Sequence, residues 1–456
     1  MKCLPICFGV NIEKNIPVFF GAFYKFSYYC QENDWPILAQ EEYYENPAIQ
    51  EKKYPIKLQE VSKINDIPPI KSIKVKENNK YVITKQETEL VFKEYKDKDE
   101  AWISLMHTPN NTLLKILEDK LKVILKNHKQ LKYIVIWRNN ATIEKLCKRN
   151  NLGLINMEMA GFRKPSYNFT LCYFQHISKY EADELNERYE KFLAETKKEK
   201  LEMLTRNQLI RLLVSKEEID NMQEEQYYSG FAMGLAKDFD TIATKSKTNA
   251  DIMEDLAKYE KKSSVLIRKH PSNYHYKYAH ENEFTLDKSV SSIQFISKCH
   301  RIISSVSNIS VEAMLFGKTT FILGKMPFKR FGYDSLEYND EYVVSMKDLN
   351  FLIFGFFVPY EIALSNEYLE FRDKNPSEIE IYKYHYNYIM NKYGNNLKRR
   401  GIKERHQQWI DNVKELDYLR KHNVELEDEL QLILNSKSWK ILERLRKLKK
   451  ILKRKN

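Results

Sequence analysis

Apolar residues along this chain recur with two periods, and their alternation predicts an α/β protein. The clearest stretch opens with an apolar strand, Tyr133–Trp137. An Asn139-Asn140 turn leads into a helix over Ala141–Arg149, and Gly153 precedes a second strand, Leu154–Met157. A strand–helix–strand order of this length implies a parallel sheet. A second α/β unit spans about 227–345 and holds the apolar stretch Phe231–Leu235, a strand over 265–267 and another ending in Arg301–Ser304. After Ser305-Val306-Ser307-Asn308, Ser310 is placed to cap a helix over Val311–Phe316. Gly317 is placed to stop it, and Thr320–Leu323 to return as a strand. Thr112–Asn127 has the period of an amphipathic helix. Residues 177–226 are charged and helical in period, a connection between two halves. Residues 346–400, rich in Tyr and Phe, read as helices packing back across the first half. Residues 1–125 carry little signal beyond alternation around 74–92, which suggests strands.

In open parallel sheets, ligands bind beyond the carboxyl ends of the strands, and polar groups gather at four such ends here. Glu158 follows strand 154–157, and Asp238 and Asp240 follow Phe231–Leu235. Arg268, Lys269 and His270 close the strand at 265–267, with Pro271 biasing His270 toward an extended backbone. Ser304, Ser305 and Ser307 follow the strand at 301–303. A strand that runs through hydroxyl-rich caps into a helix points free backbone N–H groups at one spot, which favours an anion such as phosphate. Lys269 and His270 would add charge-assisted hydrogen bonds, while Arg268 alternates to the other face. Ser305, Ser307 and Ser310 also fit plain turn and cap roles, but four serines and an asparagine within 304–310 exceed what capping needs. Gly317-Lys318-Thr319 imitates the end of a P-loop. It follows its helix rather than preceding one, and Glu312 stands where the first glycine belongs, so ATP binding of that type is excluded.

These segments resemble the donor half of bacterial capsule and lipopolysaccharide β-Kdo transferases. The likeness rests on Lys269-His270-Pro271, on Ser307 to Lys318 with Glu312-Ala313 inside, and on Gly324-Lys325-Met326-Pro327-Phe328. It is best over about 230–330, weaker over 130–175 and absent from the first hundred residues. A His-Pro pair with a Ser-rich turn is similar to bacterial sialyltransferases as well, which also use a CMP donor. The resemblance implies a GT-B-like α/β fold, with two Rossmann-like parallel-sheet domains facing a cleft and a C-terminal helical extension. It implies a CMP-sugar acid such as CMP-Kdo as donor substrate, no other cofactor and no metal, because Lys, His and a helix terminus can neutralise a single phosphate. Lys269, His270, Ser304, Ser305, Ser307, Asn308 and Ser310 would hold that phosphate. Glu312 would meet the ribose, or simply favour the positive end of its helix. The family's catalytic carboxylate lies in an acidic run after a strand. Here Asp238-Phe239-Asp240 offers Asp240 first and Asp238 second, with Ala236 in place of the family's Gln. The same pair would also suit a divalent metal on a nucleotide diphosphate. The stretch NMEMAGFRKPSYNFT is similar to the family's E-x-G-x-x-R, with the spacing shifted by one at Met159-Ala160-Gly161. Glu158 would then act as general base or orient the acceptor, and Arg163 would bind a sugar carboxylate. A surface salt bridge between the two is the competing reading.

Composition adds limits. A chain of 456 residues has room for two or three domains. It contains no apolar run of 18 residues and no signal peptide, so no membrane-spanning helix is expected. The six cysteines, at 3, 7, 30, 147, 172 and 299, lack paired metal spacing and read as reduced thiols of a cytosolic protein. Of the net charge of +12, residues 437–456 carry +9. A nearly neutral fold with a basic tail argues against nucleic acid as a partner. In that tail Leu442, Leu445, Leu448 and Leu452 share a stripe flanked by Lys and Arg, as in a helix lying on an anionic leaflet at the inner face of the cytoplasmic membrane. Leu416, Leu419, Asn423, Leu426, Leu430 and Ile433 give 401–436 a coiled-coil pattern and a route to a homodimer. The expected organisation is an acceptor domain at 1–176, a helical connection at 177–226, a nucleotide-sugar domain at 227–345, returning helices at 346–400, then the coiled coil and the tail. The expected activity is glycosyl transfer to a lipid-linked or polysaccharide acceptor. Its rivals are a transferase using a UDP- or GDP-sugar such as a heptose, and a non-enzymatic membrane scaffold.

Overall fold

Two largely parallel sheets organise the chain, each wound outward from an interior strand. The computed structural model describes residues 2–9, 16–53, 57–177, 180–235, 239–270, 277–338 and 342–398. The coiled-coil segment, the basic tail and Asp238 lie outside the described residues, as does the side chain of Asp240.

The first sheet contains β1 (Lys2–Cys7), β2 (Ile37–Gln40), β3 (Lys80–Ile83), β4 (Leu131–Trp137), β5 (Gly153–Met159) and β6 (Leu171–Gln175), joined late in the chain by β12 (Val358–Pro359). Its order is β12-β6-β5-β4-β1-β2-β3. The second sheet contains β7 (Tyr227–Ala232), β8 (Val265–Arg268), β9 (Thr285–Leu286), β10 (Cys299–Ser304) and β11 (Thr319–Ile322), in the order β11-β10-β7-β8-β9. All pairs are parallel except β5–β6 and β6–β12. Parallel strands covered on both faces need near-continuous apolar runs, and Ile134, Val135 and Ile136 of β4 and Ile302 and Ile303 of β10 are buried accordingly. In each sheet the winding reverses beside the first strand, between β1 and β4 and between β7 and β10. Loops diverge there and leave a crevice at the carboxyl ends. The fold is thus the two-domain parallel α/β architecture expected.

Several local expectations change. The opening segment, in a stretch that carries little signal in the sequence, is β1, an interior strand of the first sheet. Pro5 conceals it, since a proline argues against a central strand; β2 pairs with β1 only from Ile6 onward, past the missing N–H. Alternation around 74–92 yields a strand only over Lys80–Ile83. Thr84 then caps the helix Lys85–Phe92, with Glu87 closing a capping box. The helix over Ala141–Arg149 is as expected, capped by Asn140. β5 runs two residues further than expected, so Glu158 lies inside it and pairs with Tyr173 of the antiparallel β6.

The segment after β11 closes the structure. Asp183–Thr196 and Glu378–Tyr393 pack together through Arg188, whose guanidinium meets the Glu378 carboxylate at 3.0 Å with both side chains nearly buried. Between them, Phe351–Phe356 forms a wide π-type turn, which leaves carbonyls without the usual helical partner. Arg188 Nη2 donates to the Gly355 carbonyl at 2.6 Å and His385 Nδ1 to that of Phe354 at 2.8 Å. The hydroxyl of Tyr368 donates to His385 Nε2 at 2.9 Å. The six cysteines are unpaired by disulfides and buried. Among the described residues no helix is long and apolar enough to cross a membrane.

Burial holds His385 neutral, down to a pKa of about 3. An unfolded chain binds a proton at this histidine below about pH 6.5 and the folded one does not, so stability is lost as pH falls from about 6.5 toward 3. In His385→Asn, the fall in unfolding free energy between pH 6 and 4 should be shallower by roughly 1.4 kcal/mol per pH unit, as read by denaturant titration. Equal slopes would mean His385 is not held neutral.

Candidate active site

The loop between β5 and β6 carries the first half of the site to the second. It is pinned by its own backbone: Ala160 N–H donates to Leu171 O at 2.9 Å, Leu171 N–H to Phe162 O at 2.9 Å and Tyr167 N–H to Arg163 O at 3.1 Å. Gly161 sits against the second half so closely that a β-carbon there would lie 2.8 Å from the Asn308 carbonyl oxygen and 3.0 Å from Glu312 Cγ. The helix it touches runs over Ile309–Leu315, starting two residues earlier and ending one earlier than the sequence suggests, with Asn308 rather than Ser310 in the capping position. Gly317 ends it at φ +71°, as expected of a left-handed stop.

Side chains complete this contact. The Tyr167 hydroxyl donates to Glu312 Oε2 at 2.8 Å, and the Ser292 hydroxyl donates to the same oxygen at 2.7 Å. The Tyr173 hydroxyl donates to Asn308 Oδ1 at 2.7 Å, and Asn308 Nδ2 to the Met159 carbonyl at 3.3 Å. Burial raises the Glu312 carboxyl above its ordinary pKa, against the pull of Ser292, Tyr167, Arg163 and Arg268. Burial likewise lowers His270, helped by the positive charges of Arg163 and Arg268. His270, Arg163, Arg268 and Glu312 therefore share one electrostatic neighbourhood.

A cavity of roughly 440 Å3 opens at this junction. Glu158, Arg163 and Glu312, all expected from the sequence, line it together with Arg138, Trp137, Met159, Lys164, Tyr167 and Ser292. Glu158 and Arg138 approach to 4.0 Å between Oε1 and Nη2. Arg163, expected in a salt bridge with Glu158 on the competing reading, is exposed and lines the cavity. Lys164 is held by Asp66 at 2.5 Å and by Glu361 at 3.7 Å.

Other expected donor ligands have partners within the fold. Lys269 is buried and ion-paired with Glu281 at 2.6 Å, because alternation along the chain turns it toward the segment outside β8. Arg268, read as facing away, pairs with Asp287 at 2.7 Å yet brings its charge to bear on His270 and Glu312. Ser304 and Ser310 are fully buried and hydrogen-bond each other at 2.7 Å, and Ser305 donates to the Lys247 carbonyl at 2.6 Å. Ser307 accepts from Ile309 N–H at 3.3 Å, an ordinary local cap. Each of these hydroxyls thus has a turn or packing partner within the fold. Asp240 lies in the short helix Phe239–Ala243 rather than in a loop. Arg138, Tyr167 and Ser292 are among the lining residues that escaped the sequence reading. Arg138 follows β4 directly and satisfies the same strand-end rule that singled out Glu158. Tyr167 lay inside the Glu158 stretch. Nothing in the sequence distinguishes Ser292.

Residues 10–184 match the profile of the glycosyltransferase 99 family N-terminal domain. Over those residues, less than half of the chain, the sequence has the profile of a glycosyltransferase domain. The match falls on the half where the motif resemblance is weakest. No curated protein sequence matches the chain. Among solved structures, KpsC from Thermosulfurimonas dismutans, a β-Kdo 2,7 transferase, aligns at 15% identity over 54% of this chain and 87% of its own, with a TM-score of 0.35. UDP-GlcNAc 2-epimerase from Methanocaldococcus jannaschii, in complex with UDP-GlcNAc and UDP, aligns at 13% identity over 71% and 84%, with a TM-score of 0.29. The spinosyn rhamnosyltransferase SpnG aligns at 9% over 72% and 82%, with a TM-score of 0.30.

The Gly161 contact is directly testable. In Gly161→Ala the new methyl meets backbone as well as side chains, so unfolding free energy should fall by about 1–3 kcal/mol and turnover should drop with it. Wild-type stability in urea titration would mean that the loop and the helix do not touch this closely.

Proposed function

We propose that the chain transfers a sugar acid, Kdo or a relative, from a CMP donor to a lipid-linked or polysaccharide acceptor of bacterial capsule or lipopolysaccharide synthesis, without a metal. The observation that carries this reading is the cavity at the junction of the two α/β halves, where Glu158 and Glu312 face Arg138 and Arg163 beside His270. A nucleoside monophosphate brings one phosphate to neutralise. Arg163, His270 and the charge of Arg268 suit that single anion, and Lys269, paired with Glu281, is left to the fold. Glu312 would orient the ribose from the position in which Tyr167 and Ser292 hold it. Glu158 serves as the base that takes the acceptor hydroxyl proton. Asp240, with Asp238 as second choice, is assigned the carboxylate acting on the donor carbon, on the strength of the motif resemblance.

A thermal-shift panel of CMP, UMP, UDP and GDP tests the donor, with transfer assayed in Asp240→Asn and Glu158→Gln. CMP should stabilise the protein without added metal, by about 2.7 kcal/mol at a hundredfold excess over Kd. Each substitution should lower turnover by roughly 10²-fold or more while CMP still binds. Stabilisation by a nucleoside diphosphate plus manganese alone would transfer the reading to a UDP- or GDP-sugar and a metal at Asp238-Phe239-Asp240. Absence of transfer by the wild type, with the protein's function in cells left intact in His270→Ala, would favour a scaffold.

The reading extends to attachment at an anionic membrane surface through 437–456 and to pairing through 401–436. It is supported by the +9 charge and leucine stripe of the tail and by the leucine spacing before it. Deleting 437–456 should free the protein from phosphatidylglycerol-containing vesicles and leave transfer to a water-soluble acceptor intact. Continued co-sedimentation of the truncated protein would place the contact elsewhere, and loss of the dimer on truncation would make the tail a pairing element.

A further inference from the structure

Arg138 adopts a backbone that its side chain does not favour. Its φ is +74°, in the left-handed region. Among the described non-glycine residues with positive φ, five are Asp, Asn or His at turns, types that tolerate this region; Arg138 and Lys245 are the two with longer side chains. Strain of this kind persists where the surroundings enforce it, and it clusters at functional sites. Here it stands at the carboxyl end of β4, beside the reversal in strand order of the first sheet. The Arg138 N–H donates to the Met157 carbonyl at 3.2 Å, which ties the turn to β5, the strand that carries Glu158. The guanidinium carbon lies 5.4 Å from the centre of the Trp102 ring, and Nη2 lies 4.0 Å from Glu158 Oε1, beyond hydrogen-bonding distance. The guanidinium is thus braced from behind by an aromatic face and set next to the proposed base.

Arg138 also forms the common wall of two spaces. One is the cavity of roughly 440 Å3; the other is a small slot of roughly 40 Å3 lined by Phe8, Phe19, Trp102 and Met106. The two arginines of the larger cavity divide between its sides. The charge of Arg163 acts on His270 and Glu312 in the second half, whereas Arg138 stands against Glu158 in the first.

We propose that Arg138 is the residue that selects the acceptor: its guanidinium grips a carboxylate or phosphate of the acceptor and so sets an acceptor hydroxyl against Glu158. This rests on the reading of the cavity as the transfer site. A planar guanidinium matches either anion with two parallel hydrogen bonds, and the cavity has the volume of a small-molecule site. The left-handed turn is what aims the side chain into the cavity, so the fold keeps an unfavourable backbone to hold a recognition group.

Arg138→Gly and Arg138→Lys in the full chain test this, with free Kdo and inorganic phosphate as probes in calorimetric titration and CMP as a parallel arm. Glycine adopts a positive φ without strain. Arg138→Gly should therefore keep or raise Tm while weakening the preferred anion at least tenfold and leaving CMP binding unchanged. Arg138→Lys should fall between, since an ammonium keeps the charge without the planar fork. Preference for Kdo identifies a carboxylate as the group read, and preference for phosphate a phosphate; either supports the proposal. A lower Tm in Arg138→Gly makes the residue structural and overturns it, as do wild-type anion affinities in that variant or no binding of either anion by the wild type. Failure of CMP alone to bind would sink the donor assignment and leave this result standing.

Discussion

A buried carboxylate has to be met by donors, and at Glu312 those donors come from both halves of the molecule. Tyr167 reaches it from the β5–β6 loop and Ser292 from the second α/β unit, both at the same oxygen. Leaving such a group without partners in a dry site is costly, so the two halves are held at the separation that lets both hydroxyls reach. Gly161 is the steric side of the same constraint, since the close approach leaves no room for a side chain. The cavity between the sheets owes its width and the facing of its charged walls to this one contact.

The chemistry of the site follows from where the strands stop. Arg138 follows β4 and Glu158 nears the end of β5, so both reach the cavity from a strand, while His270 follows β8 within the influence of Arg163 and Arg268. The carboxylates and cations meet in partial burial, which strengthens their mutual influence. His270 is driven toward its neutral form and Glu312 toward its protonated form by burial. An incoming phosphate would reverse the first of these by supplying negative charge.

Much of this was legible in the sequence, for identifiable reasons. The helix at 141–149, the strand before His270 and the turn–helix–strand run through Gly317 carry strong local signals: a cap, an apolar run and a glycine needed for a left-handed stop. Which basic residue faces the cleft was not legible. Strand alternation says that Arg268 and Lys269 point opposite ways, but only the tertiary position of Glu281 and Asp287 decides their partners. A hydroxyl that caps a turn and one that binds phosphate look alike in a sequence, so the roles of the serines at 304–310 could not be separated there; the mutual bond of Ser304 and Ser310 is a packing outcome. β1 was hidden by Pro5, and the reversal into β6 by a loop whose turn chemistry is spread over the eleven residues 160–170.

The pairing of Val358 and Pro359 with β6 orders events in time as well as space. The outer strand of the first sheet arrives more than 180 residues after the strand it covers. At translation rates of about 5–20 residues per second, the edge of β6 stays uncovered for on the order of ten seconds or longer while the second half emerges. An uncovered strand edge is a template for pairing with another chain. Synthesis of this protein therefore passes through an interval in which its first half is nearly built and its most adhesive border is exposed. A chain cut between the two halves would remain in that state.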